Sequence, residues 1–232
     1  MNRIGIIGAM EEEVAILKDN MKIEKKLTRA SMEFCAGTLG GREVVVVRSG
    51  IGKVNAGICT QILADVFEVD AVINTGIAGS LDARIDIGDI VISTDALHHD
   101  MDAVNFGYPL GQIPRMDTLA FPADEKMIEA AKKACEEVNP EINTWTGTVV
   151  TGDQFIADKA VKERITQNFN GCCTEMEGAA IAQAAYLNKI PFVILRAISD
   201  KADDSATMDY PTFEKKAIEH SVRLVMRMME ML

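Results

Sequence analysis

The chain has 232 residues, 48% hydrophobic and 25% charged, which is enough apolar material to bury one substantial core and to make residues 1–232 a single domain. A formal net charge of −11, with no run of Lys or Arg, excludes the clustered basic face that a nucleic-acid partner needs. The first apolar stretch, residues 4–9, is too short for a membrane span, has little basic flank and runs into Glu11, Glu12 and Glu13, so a cytoplasmic protein with no membrane partner is expected.

Residues 4–7 form a short Ile-rich run bounded by glycine and predict a strand, and residues 11–20 carry helical spacing. Further on, strands are predicted at 44–47, 71–74, 90–93, 146–150 and 192–198, with helices at 53–67, 125–138, 158–169 and 178–188. From Phe213 the apolar Ala217, Leu224, Val225, Met228 and Leu232 recur at three- and four-residue steps, predicting a last helix with Lys215, Glu219 and Arg223 facing water. Strands alternating with helices predict an α/β fold with a central twisted sheet, mostly parallel or mixed, flanked by helices. In such sheets, ligand groups gather where strands end. Residues 98–122 keep no period yet hold Phe106, Tyr108, Pro109, Pro114 and Phe121, which suits a site lid or a subunit contact.

The five cysteines, Cys35, Cys59, Cys135, Cys172 and Cys173, are odd in number and lack a Cys-x-x-Cys pair, so buried thiols are expected rather than disulfides or structural zinc. His98, His99, Asp100 and Asp102 are ligand-type side chains without a matching second cluster, and no metal is expected.

Four segments stand out. Gly5-Ile6-Ile7-Gly8-Ala9-Met10-Glu11-Glu12-Glu13 leads a strand into a helix without the G-x-G-x-x-G spacing of a dinucleotide site, and three carboxylates would repel a pyrophosphate, so no nicotinamide cofactor is expected. Those carboxylates either stabilise the helix start or carry chemistry. Asn74-Thr75-Gly76-Ile77-Ala78-Gly79-Ser80 reads as a strand breaking into a small-residue turn, either a simple tight turn or a place where a ligand approaches the backbone. Thr151-Gly152-Asp153-Gln154-Phe155-Ile156 follows a strand and offers an aromatic face to a planar base, or a core Phe. Glu175-Met176-Glu177 and Arg196-Ala197-Ile198-Ser199-Asp200 place acids at strand ends, where they converge if the sheet is as expected.

Taken together, these segments resemble the 5′-methylthioadenosine/S-adenosylhomocysteine nucleosidases of the nucleoside phosphorylase superfamily. The likeness runs nearly end to end, through Gly5 to Val14, Ser49-Gly50-Ile51-Gly52-Lys53-Val54, His99-Asp100, Phe106-Gly107-Tyr108, Gly152-Asp153, Glu175 to Glu177 and Arg196 to Asp200 in family order. The resemblance implies hydrolysis of adenine thionucleosides without a cofactor. It implies that Asp200, supported by Ser199, protonates adenine at N7, that Glu13 activates water, and that Glu177 with Met176 holds the ribose hydroxyls. By the same match Phe155 stacks on adenine, Ile156 offers it backbone groups beside Ala78 and Gly79, and Met10, Ile51 and Tyr210 line the pocket. Arg196 and Glu175 order the site. A homodimer is implied too, with Ala103, Phe106 and Pro114 closing the partner's 5′-thio pocket.

One departure is Ile77, where many family members carry Ser near the attacking water. Related phosphorylases hold phosphate with an Arg and a Ser around this segment, whereas this chain has Asn74 and Ile77, which favours water as nucleophile. The rival readings are an aminodeoxyfutalosine nucleosidase, a phosphorylase, and a non-catalytic nucleoside-binding protein on the same scaffold, since fold alone never establishes catalysis.

Overall fold

Ile6 and Ile7 show how the sequence builds the fold: neighbours on one extended strand, they point to opposite faces, and both are fully buried in separate apolar clusters. Burial of each such side chain contributes about 1.5–3 kcal/mol. The computed structural model describes residues 1–232, apart from the side chain of Met208. In chain order the first elements are β1 (Arg3–Gly8), α1 (Glu11–Asp19), β2 (Lys22–Arg29), β3 (Met32–Leu39), β4 (Arg42–Arg48) and α2 (Lys53–Phe67). The middle holds β5 (Ala71–Ser80), β6 (Ile90–His98), a single 3₁₀ turn at Val104–Phe106, β7 (Phe121–Pro122), α3 (Glu125–Val138) and β8 (Thr144–Thr151). Then come α4 (Lys159–Phe169), β9 (Cys173–Glu175), α5 (Gly178–Asn188), β10 (Phe192–Asp200) and α6 (Ala206–Met231).

All strands join one sheet in the order β10-β6-β8-β9-β5-β1-β4-β3-β2, with β7 on β6. Because β10 also pairs with β5, strands β5, β10, β6, β8 and β9 close into a ring, and β1 to β4 extend from it as a wing. The sheet is mixed: β1, β4, β5 and β10 run parallel, while the β2–β3–β4 meander and the β5–β9 and β6–β10 pairs are antiparallel. Helices α2 and α5 pack together on one face, and α3 and α6 on the other.

Four expectations are corrected. Strands β2 and β3 do not stand out in the sequence because β2 is an exposed edge strand whose Lys22, Lys25 and Lys26 blunt its edge, leaving no apolar run to read. The segment 74–80 does not break into a turn. It continues extended as β5, in parallel register with Arg196 to Asp200 on β10. The last helix begins at Ala206 rather than Phe213, with Pro211 inside it, so Tyr210 sits on a helix. Four thiols are buried and Cys172 is half-buried, against the expectation that all are enclosed. Among the described residues no helix is long and apolar enough to cross a membrane.

Candidate active site

The carboxyl ends of β1, β5, β9 and β10 meet at one edge of the ring. Strand β1 stops at Gly8, and the first turn of α1 folds the Glu13 side chain back over the junction. Its Oε2 accepts the N–H groups of Ala9 at 2.6 Å and Met10 at 3.0 Å, and its Oε1 accepts that of Ile77 at 3.3 Å. Glu13 thereby satisfies backbone donors that a helix start leaves open. Burial pushes its carboxyl up from the ordinary value, opposed by the Arg196 charge and these three N–H groups.

Asp200 ends β10 with Oδ2 accepting the Ser199 hydroxyl at 2.8 Å and Oδ1 accepting the Ala202 N–H at 2.8 Å. Burial pushes this carboxyl up as well, with Asp209 and Asp203 adding to the shift while the Ala202 and Ser199 bonds oppose it. The glycines of β5 make room for both acids. A β-carbon on Gly76 would lie 2.6 Å from Glu13 Oε1, and one on Gly79 would lie 2.7 Å from Asp200 Oδ1. The small residues of segment 74–80 thus serve close approach within a strand.

Behind the acids lies a buried ion pair. The Arg196 guanidinium donates to Glu175 Oε2 at 2.5 Å and to the Asn74 side-chain oxygen, and Asn74 in turn donates to the Ile7 carbonyl at 2.9 Å. Glu175 also accepts the Thr151 hydroxyl and the N–H groups of Glu177, at 3.1 Å, and Gly178, at 2.7 Å. Both oxygens of Glu175 are therefore engaged, as a buried carboxylate requires. Glu177 accepts the Gly52 N–H at 2.7 Å. Burial and the neighbouring Glu175 carboxylate push Glu177 up to about 8, against the Gly52 bond and the Arg196 charge.

These groups surround a cavity of about 390 Å³ lined by Ala9, Met10, Glu13, Ile51, Ile77, Ala78, Gly79, Phe155, Thr174, Glu175, Met176, Glu177, Ser199, Asp200 and Tyr210. Among the described residues its wall carries four carboxylates and no Lys, Arg or His. The Phe155 ring stands half-exposed at the mouth, edge-on to Tyr210 with centroids 5.8 Å apart.

A family model described as the phosphorylase superfamily matches residues 3–230. The 5′-methylthioadenosine/S-adenosylhomocysteine nucleosidase of Staphylococcus carnosus is 44% identical to this chain, covering 99% of it and 100% of the relative. The chain belongs to this nucleosidase family, within the phosphorylase superfamily. The solved structure of the family's Neisseria meningitidis enzyme, in complex with methylthio-immucillin-A, covers 100% of both chains with a TM-score of 0.96 and 37% identity. That of a Helicobacter pylori futalosine hydrolase covers 100% of this chain and 98% of its own, with a TM-score of 0.93 and 31% identity.

Of the residues that the nucleosidase resemblance singles out, twelve line this one cavity: Met10, Glu13, Ile51, Ala78, Gly79, Phe155, Glu175, Met176, Glu177, Ser199, Asp200 and Tyr210. Ile156 lines a smaller recess beside it, shared with Phe155 and Asp200, and Arg196 lies behind the wall. Ala103, Phe106 and Pro114 stand apart from the cavity; Ala103 is buried, Pro114 exposed, and Phe106 is 84% exposed. Sequence reasoning missed that Thr151 and Asn74 order the site by bonding Glu175 and Arg196. Their one signal is polarity on a buried strand, Asn74 in the middle of β5 and Thr151 at the end of β8.

Proposed function

We propose that the protein hydrolyses the N-glycosidic bond of 5′-methylthioadenosine and S-adenosylhomocysteine, releasing adenine with 5-methylthioribose or S-ribosylhomocysteine. The observation that carries this reading is the cavity wall, which Glu13 and Asp200 both line with, among the described residues, no cationic side chain to hold phosphate. The one nearby guanidinium, Arg196, is taken up by Glu175 and Asn74. Water is then the nucleophile.

Adenine leaves poorly as an anion, so an acid that donates a proton at N7 lowers the barrier. Asp200 suits that role because burial favours its protonated form, and the Ser199 hydroxyl orients the carboxyl. Glu13 takes a proton from water: burial raises its carboxyl, which strengthens it as a base, while the Arg196 charge and three N–H groups oppose that rise and support its ionised form. The ionised Glu13 carboxylate favours the positive charge that develops on an oxocarbenium-like sugar. Ile77 contributes a backbone N–H to Glu13 and an apolar wall, so water orientation rests on Glu13 itself. In the same reading Phe155 stacks on adenine, Ile156 offers it backbone groups, Glu177 and Met176 hold the ribose, and Met10, Ile51 and Tyr210 line the nucleoside pocket.

The exposed Phe106, with Ala103 and Pro114, supports a homodimer in which this loop covers the partner's cavity. The cytoplasm, where thiols stay reduced, suits the five unpaired cysteines. Residues 1–232 act as one catalytic unit. The test is adenine release from both substrates with and without phosphate, because phosphate-dependent turnover to a sugar phosphate would overturn the hydrolytic reading. The likeness to a futalosine hydrolase favours a second reading, an aminodeoxyfutalosine nucleosidase, and that compound belongs in the same assay.

A further inference from the structure

Outside the cavity, three residues from distant parts of the chain close a ring at its rim. Asp100 follows β6; its Oδ1 takes the Lys53 ammonium at 2.6 Å, and its Oδ2 accepts the Asp153 N–H at 3.0 Å. The Asp153 carboxylate returns to α2, accepting the Lys53 N–H at 2.8 Å. Helix α2 begins after Gly52, which has no side chain to cap it, so Asp153 supplies the missing acceptor from another loop. Burial works against ionisation of Asp100, but Lys53 and the Asp153 N–H outweigh it and hold the carboxyl below its ordinary value.

The ring touches both halves of the site. Gly52 adopts φ +96°, a conformation that favours glycine, and its N–H reaches the Glu177 carboxylate, one residue before the Lys53 that the ring fixes. Two residues after Asp153 comes Phe155, at the cavity mouth. The His99 ring packs against Gly152 so closely that no β-carbon fits there, which seats the same loop from its other side. A shift of the ring would therefore move the donor to Glu177 and the aromatic wall together.

We infer that Asp100 is a positioning residue for the nucleosidase reaction: by bridging the Lys53 ammonium and the Asp153 N–H, it aims the Gly52 N–H at Glu177 and seats the loop that carries Phe155. This rests on the reading of Glu177 as the carboxylate that holds the ribose. The other charged groups facing Glu177 are Glu175 on β9, Arg196 on β10 and Glu13 on α1, and the ring alters none of them directly. Loss of the Gly52 bond weakens the one backbone donor that favours ionised Glu177.

The test compares Asp100→Asn, Lys53→Met, the double variant and Glu177→Gln in steady-state assays with 5′-methylthioadenosine across pH, alongside melting curves. Asp100→Asn keeps an acceptor for Asp153 but loses the charge opposite Lys53. It should raise KM by about tenfold with a smaller change in kcat, as expected when a bound geometry is loosened. It should also move the pH at which Glu177 ionisation improves KM upward. Lys53→Met should reproduce both changes, and the double variant should add little to either, because both substitutions open one ring. Should Asp100→Asn be poorly folded, Lys53→Met opens the same ring from the other side of the ion pair. A lowered melting temperature with unchanged KM and an unchanged pH profile in both single variants would overturn the inference. Failure of Glu177→Gln to raise KM would instead remove the ribose reading on which it rests.

Discussion

Gly79 and Asp200 meet across the β5–β10 pairing so closely that a β-carbon at position 79 would stand 2.7 Å from Asp200 Oδ1 and 2.7 Å from the Ala202 β-carbon. The proposed acid therefore owes its place to the absence of a side chain on the neighbouring strand. Gly79→Ala should cost about a hundredfold in kcat, the order expected for an ångström-scale misplacement of a reacting group. Burst-free adenine release and a melting curve on the same preparation check this. A variant with normal kcat would show that Asp200 tolerates displacement.

Arg196 and Glu175 have side chains only 2% and 3% exposed, and each is the other's principal countercharge. Arg196→Met should destabilise the fold by about 3–5 kcal/mol, because it strands a buried carboxylate. Denaturant unfolding measures that loss. Activity should fall in the same variant, since Glu13 would lose the charge that favours its ionised form.

Much of this was legible in the sequence, and what was not has physical reasons. The apolar runs of β1, β4, β5 and β10 stand out because both sheet faces are covered; Asp200 ends one such run, Glu13 lies in the first turn of the helix that follows another, and Glu177 follows the short β9. Strand β2 is invisible because an exposed edge selects for charge rather than apolar alternation. Gly76 and Gly79 look the same in sequence whether they serve a turn or a close approach, and only the positions of Glu13 and Asp200 decide between them. The Thr151–Glu175 and Asp100–Lys53 bonds join residues far apart in the chain, which no local pattern encodes.

Glu177 makes stability and binding respond to pH in opposite directions. Its carboxyl, raised from 4.5 to about 8 on folding, contributes stability that is fully present below 4.5 and is lost as pH rises through about 8. The ribose hydroxyls, by contrast, bind best to the ionised form. Between about pH 5 and pH 9 the melting temperature should fall while KM improves, and Glu177→Gln should flatten both trends. Thermal unfolding and KM across that range are the checks; a wild-type KM independent of pH there would remove Glu177 from ribose binding.

Phe106 is the most exposed large apolar side chain of the long loop, at 84%. In the proposed homodimer it covers the partner's cavity, so Phe106→Ser should raise KM for 5′-methylthioadenosine and weaken association. Sedimentation and activity measured over a dilution series test this. Full activity in a species that sediments as a monomer would contradict it.

The division of labour between Glu13 and Asp200 is the central claim, and leaving-group rescue tests it most directly. Asp200→Asn keeps size and polarity but has no proton to give N7, and Glu13→Gln cannot accept one from water; each should lower kcat by about a hundredfold to ten-thousandfold with adenine as leaving group. A substrate whose base departs readily without protonation makes the acid unnecessary and leaves the need for a base intact. On that substrate kcat of Asp200→Asn should return towards that of the unmodified enzyme while Glu13→Gln stays impaired. Equal rescue of both variants, or near-normal adenine release by Asp200→Asn, would contradict the assignment.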